Sequence, residues 1–190
     1  VLKRSQVLGV ISQDSFCIAI AGTHGKTTTS ALVAHILTHT GYGCNAFLGG
    51  ILSNYDSNYL FHKNNVVVVE ADEYDRSFLT LSPDLSVITS MDADHLDIYG
   101  EASELVATFK EFAKKLKSTG KLFKRAGLPI ESGDSYAFCA PADHHAQNIK
   151  AVEGAFVFDY VDSSNIIESI RLGLPGNHNV ENAVVAISIA

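Results

Sequence analysis

The chain has 190 residues, 46% of them hydrophobic, which suits one domain with a buried core. Twenty-one acidic against 14 basic residues give a net charge of −7, which argues against a nonspecific nucleic-acid binder and makes any phosphate-binding field local. Cys17, Cys44 and Cys139 are few, far apart and odd in number, as in a reducing cytoplasmic compartment, and no apolar stretch approaches the roughly 20 residues that span a bilayer.

In residues 4–12, Val7, Leu8 and Ile11 fall at helical spacing, so this segment reads as a short helix or the end of an interdomain linker. The apolar run 16–20 then predicts a strand, residues 21–29 a glycine loop, and the stretch from about Thr27 a helix stopped by a left-handed cap at Gly41. Residues 44–52 hold a short strand ending in a Gly-Gly turn, and 55–65 are polar and turn-rich. The β-branched run Val66-Val67-Val68-Val69 predicts a strand covered on both faces, followed by the acidic cluster 70–75. A second buried strand over 85–89 leads to Asp92-Ala93-Asp94-His95-Leu96-Asp97.

Over 101–117, Leu105, Phe109, Phe112 and Leu116 form an apolar stripe with Lys110, Lys114, Lys115 and Lys117 as the solvated face of a surface helix. Beyond Gly120, residues 136–139, 155–160 and 166–174 read as shorter antiparallel strands, with His144 and His145 in a polar turn. The chain starts without Met or the apolar region of a signal peptide and ends inside an apolar helical pattern, as expected of a piece of something longer. The expected fold is α/β: a P-loop-type, mostly parallel sheet flanked by helices, with a small antiparallel sheet near the C-terminus.

Strand, glycine loop and helix in that order form a phosphate cradle, because a helix N-terminus offers unpartnered N–H groups and partial positive charge. Gly22, Thr23, His24, Gly25, Lys26, Thr27 and Thr28 are the candidate phosphate contacts, with Lys26 as the mobile cation and the Thr27 hydroxyl as a Mg2+ ligand. The spacing Gly22-x-x-Gly25-Lys26-Thr27 is shorter than the common phosphate loop, and a simple strand-to-helix turn is the alternative.

Ligands of open α/β sheets collect beyond the C-terminal strand ends, so this loop, the acidic cluster and the Asp94-His95 segment are expected to converge. Glu70 is the best-placed carboxylate for a divalent ion, with Asp72, Glu73 and Asp75 as competitors or turn caps. Asp94 and Asp97 could orient His95 toward a second metal, or His95 could be an ordinary surface residue. His35 and His39 lie four apart on a helix with no third ligand evident. Asn179 and Asn182, three apart at a helix start, could read an adenine edge or cap the helix.

Taken together, Gly22-Thr23-His24-Gly25-Lys26-Thr27-Thr28-Thr29, Glu70-Ala71-Asp72-Glu73, Asp94-His95-Leu96-Asp97 with Tyr99, and 175–183 resemble the Mur ligases, over nearly the whole chain and with the short glycine loop that family uses. The resemblance implies that residues 1–190 are the central ATP-binding domain, flanked in the family by an N-terminal UDP-sugar domain and a C-terminal amino-acid domain. It implies that Lys26 contacts the β and γ phosphates, that Thr27 and Glu70 ligate Mg2+, that His95 helps hold a second ion, and that Asn179 and Asn182 contact adenine.

The implied reaction makes an acyl phosphate from a carboxylate and ATP, and then an amide, with the isolated domain inactive alone. Within the family, Asp92-Ala93-Asp94-His95 favours the branch joining UDP-N-acetylmuramate to L-alanine in peptidoglycan synthesis. A sister ligase that attaches a preformed tripeptide, and a nucleotide-binding module without ligase chemistry, are the alternatives. Some members carry a carbamylated lysine, and Lys110 lies fifteen residues past His95, but the L-alanine branch is not typified by that modification and Lys110 is read as solvated.

Overall fold

The computed structural model describes residues 2–92, 99 and 101–190. Its core is built around β1 (Phe16–Ala21), β4 (Val66–Ala71) and β5 (Leu85–Ile88), with β1 hydrogen-bonded in parallel between the other two. The valine run in β4 explains why this centre is internal: Val66 and Val68 pack into one apolar cluster and Val67 and Val69 into another, on opposite faces of the sheet. β1 divides the same way, Ile18 and Ile20 to one side and Cys17, Ala19 and Ala21 to the other.

Helices α2 (Lys26–His39) and α4 (Asn177–Ile189) cover the first face, through Val33, Leu37, Val180 and Val184. On the second face lie α1 (Arg4–Asp14), a 3-10 turn (Tyr74–Thr80) and α3 (Ala102–Ala113). There Phe78 stacks on Phe112 with ring centroids 4.8 Å apart and meets Phe109 edge-on at 5.4 Å.

Among the described residues the sheet has ten strands in the order β10-β9-β8-β7-β6-β5-β1-β4-β2-β3. β2 (Asn45–Leu52) joins β4 in parallel, and β3 (Ser57–Leu60) closes that edge as an antiparallel hairpin. On the other side β6 (Lys121–Arg125), β7 (Asp134–Ala137) and β8 (His144–Val152) continue in parallel, and β9 (Ala155–Val161) and β10 (Ile166–Leu172) add antiparallel strands. The expected α/β architecture is present, and its C-terminal antiparallel strands hydrogen-bond onto the main sheet.

Some local expectations change. The strand near 136–139 is parallel to both its neighbours. His144 and His145 open β8 instead of lying in a turn; His144 is buried, with Nδ1 2.7 Å from the Tyr160 hydroxyl and Nε2 3.3 Å from Asp134. Asp134 is held below the usual carboxylate range by hydrogen bonds from Lys121 and His144, which outweigh the opposing effect of its partial burial. Lys117 lies beyond the end of α3, and its ammonium donates to Asp84 Oδ2 and the Ser15 carbonyl rather than to solvent alone. Asp84 also accepts the Cys17 N–H at 2.8 Å, tying β1 to the start of β5.

Candidate functional site

Register brings the candidate elements together. Ala21 at the end of β1 stands beside Ala71 of β4 and Ile88 of β5, so the segments that follow leave the sheet at one level. From β1 the chain turns through Gly22, at φ 138°, and Gly25, at φ 83°, into α2. A side chain on Gly22 would place its Cβ 2.1 Å from Thr89 Oγ1 and 2.8 Å from the Ser90 nitrogen, so glycine is required both for conformation and for space.

Two hydroxyls after β5 fasten the loop. Ser90 Oγ lies 2.9 Å from Thr23 Oγ1 and accepts the His24 N–H at 2.7 Å, while the Thr89 hydroxyl donates to the Ala21 and His24 carbonyls. Thr23 Oγ1 accepts the Asp92 N–H at 3.1 Å, and the exposed His24 ring lies 3.8 Å from the Asp92 carboxylate. The first helical hydrogen bond at this end of α2 runs from Thr29 N–H to the Gly25 carbonyl. The amides of Lys26, Thr27 and Thr28 therefore precede the helical ladder, as an anion site at a helix start requires.

The second element, after β4, meets the first through side chains. Thr27 Oγ1 donates to Glu70 Oε1 at 2.9 Å, and Glu70 Oε2 accepts the Gly49 N–H at 2.8 Å. Lys26 Nζ donates to the Gly22 carbonyl at 2.7 Å and to both Glu73 carboxylate oxygens at 2.9 and 2.8 Å. Glu73 is fully buried, and Lys26 keeps 15% of its side-chain exposure. Asp72 is a turn cap, its Oδ1 accepting the Tyr74 N–H at 3.1 Å. An adjoining cleft of about 370 Å³ is lined by Lys3, Lys26, Gly49, Glu70, Asp72 and Tyr74.

At the start of α4, Asn182 is buried beside the loop, its Oδ1 3.0 Å from where a Cβ on Gly25 would lie. Asn179 Nδ2 donates to the Pro175 carbonyl at 2.6 Å; the helix cap position itself belongs to Gly176, with no side-chain cap bond. Gly22, Thr23, His24, Gly25, Lys26, Thr27, Thr28, Glu70 and Asn182 thus gather at one end of the sheet. His95, expected as a third partner, lies outside the described residues, as do Asp94 and Asp97.

Sequence reasoning passed over Thr89, Ser90 and Gly49, and left Glu73 undistinguished within its acidic cluster. Thr89 and Ser90 carried a usable signal, two hydroxyls at the end of a buried strand. Gly49 carried none.

With this geometry in place, the sequence profile of the Mur ligase middle domain matches residues 20–190. The chain belongs to the Mur ligase family. This Mur ligase chain is 52% identical over 190 residues to the UDP-N-acetylmuramate–L-alanine ligase of Christiangramia forsetii, covering 100% of this chain and 42% of that protein. It therefore spans about two fifths of such a relative's length.

A crystal structure of UDP-N-acetylmuramate-alanine ligase from Thermotoga maritima matches with a TM-score of 0.80 at 26% identity, covering 97% of this chain and 43% of that one. The UDP-N-acetylmuramate:L-alanyl-γ-D-glutamyl-meso-diaminopimelate ligase of Neisseria meningitides matches with a TM-score of 0.84 at 22% identity, covering 97% and 64%. At that identity the likeness is one of fold. No described helix of this Mur ligase chain is long and apolar enough to cross a membrane.

Proposed function

We propose that residues 1–190 are the central, ATP-binding domain of a cytoplasmic ligase that joins UDP-N-acetylmuramate to L-alanine in peptidoglycan synthesis. The observation that carries this reading is the meeting of two distant motifs. Thr27, at the helix start that follows the glycine loop, lies 2.9 Å from Glu70 at the end of β4. A hydroxyl and a carboxylate side by side at a phosphate cradle are hard oxygen donors, the chemistry a Mg2+ ion takes. Mg2+ bound there would neutralise charge on the β and γ phosphates. Fifty-two per cent identity to an L-alanine ligase supports that substrate over the tripeptide alternative.

Amide formation from a free carboxylate is slow because oxide is a poor leaving group. In the proposed reaction a carboxylate oxygen of UDP-N-acetylmuramate attacks the γ phosphorus of ATP, the bond to the bridging oxygen breaks, and ADP leaves. The amine of L-alanine then attacks the acyl phosphate, and phosphate departs as the nitrogen loses a proton. This chain's part is positioning and charge compensation. The backbone amides at 26–28 and the Lys26 ammonium would hold phosphate oxygens, Thr27 and Glu70 would hold the ion, and Asn182, with Asn179, would contact the base. In this reading His95 helps hold a second ion.

Acceptor and amino-acid sites belong to flanking domains, so the 190 residues alone have no ligase turnover. Thermal stabilisation of this chain tests the nucleotide reading, because a ligand that binds the folded state raises Tm with occupancy. ATP with Mg2+ is expected to raise Tm, GTP to do little, and omission of Mg2+ to weaken the ATP effect. An equal response to GTP would overturn the adenine assignment.

A further inference from the structure

Lys26 is fully engaged without any ligand. A lysine ammonium has three N–H donors. Here one goes to the Gly22 carbonyl and the other two to Glu73 Oε1 and Oε2, at 2.7 to 2.9 Å. Its carboxylate partner is fully buried and held in place at its backbone. The Glu73 carbonyl accepts the Arg76 N–H at 2.9 Å and the Tyr99 hydroxyl. Each donor that Lys26 gives to a phosphate oxygen must therefore be taken from the loop's own carbonyl or from Glu73.

We infer that Glu73 is a positioning residue that competes for Lys26 and so tempers the affinity of this loop for ligands carrying a β phosphate. It retains Lys26 against ligands that present only an α phosphate and yields it to those that carry a β phosphate. The inference rests on the nucleotide reading of the loop. A single phosphate at the start of α2 can be met by the backbone amides of residues 26–28, with Lys26 left on Glu73. A β phosphate lies where a phosphate-loop lysine reaches, and its charge competes with the carboxylate for the ammonium. Removing one partner from a buried ion pair is heavily penalised, so the exchange lowers the affinity for ligands that draw on Lys26 and leaves monophosphate binding untouched.

Glu73→Gln removes the charge and keeps the shape. Calorimetric titration of the 190-residue chain with ADP and with AMP, both with Mg2+, reads the effect. The variant is expected to bind ADP about tenfold more tightly than wild type. This is less than the hundredfold or more that loss of a buried partner represents, because the amide still accepts one hydrogen bond from Lys26. AMP affinity is expected to stay the same, and in a Lys26→Met background Glu73→Gln should leave ADP affinity unaltered.

A folded Glu73→Gln chain that binds ADP no more tightly than wild type overturns the inference while leaving the nucleotide reading intact. If neither chain binds ADP, both fall; if only the variant binds, the inference is supported. Should the variant not fold, 15N NMR of the wild-type lysine side chains decides. The Lys26 Nζ resonance must move on saturation with Mg-ADP and stay in place with AMP, and an Nζ signal unmoved by ADP overturns the inference.

Discussion

Lys26→Met is expected to destabilise the free chain, although position 26 belongs to a ligand-binding loop. The substitution preserves most of the side-chain volume but removes the cation paired with Glu73, whose carboxylate is fully buried. Breaking a buried pair from one side typically costs 3–5 kcal/mol, far more than the 0–1 kcal/mol of an exposed pair. Lys26 retains 15% exposure and Gly22 supplies one of its contacts, so the lower end, about 3 kcal/mol, is expected. For a chain of this size that lowers Tm by roughly 6–12 °C.

Differential scanning calorimetry without nucleotide, backed by urea denaturation, measures the loss. Combining Lys26→Met with Glu73→Gln should restore much of it, because a neutral pair leaves no charge to compensate. A Tm for Lys26→Met within about 2 °C of wild type would refute the reasoning, since it would mean that the buried carboxylate is compensated by other groups.

Gly22→Ala should unfasten the loop, since its Cβ would overlap Thr89 Oγ1 at a φ of 138°; loss of ADP-induced thermal stabilisation in a chain that stays folded by circular dichroism is the expected result. Ellman's reagent should titrate one thiol in the native chain and three after denaturation, because Cys139 is exposed, burial pushes the Cys17 thiol up to about 12, and burial raises Cys44. Asp162 is held at about 2, first by the Ser164 N–H, with Asn165 and Tyr160 adding hydrogen bonds. A carboxylate depressed in the folded state contributes stability above its unfolded pKa of about 4 and loses it as pH falls toward 2. Asp162→Asn should therefore flatten that part of the stability profile measured by urea denaturation.

The centre of the fold was legible because its signals are local and unambiguous. An uninterrupted valine run has few options besides a strand covered on both sides, and a glycine loop between an apolar run and a helix marks a strand end. β8 was not legible: His144, Gln147, Asn148 and Lys150 give it a polar composition, and the histidine points inward because Tyr160 and Asp134 on its neighbours provide hydrogen bonds. β6 was obscured by Lys121, Lys124 and Arg125 in so short a strand.

At the site, the pairing of Thr27 with Glu70 followed from the rule that ligands gather beyond strand ends. The engagement of Lys26 by Glu73 depends on how the 3-10 turn after β4 aims one acidic residue out of four in a row of six. That aim is a tertiary fact, and no periodicity in the sequence encodes it.

Ala21, Ala71 and Ile88 stand abreast across three hydrogen-bonded strands. None of these strands can slip lengthwise without severing its neighbours' ladders and moving residues between the two apolar layers. Accommodation of a guest is consequently confined to rotations of side chains and small torsions in the turns above. Amide hydrogen exchange along β1, β4 and β5 should be indifferent to occupancy, while protection in residues 22–28 and 72–80 reports it.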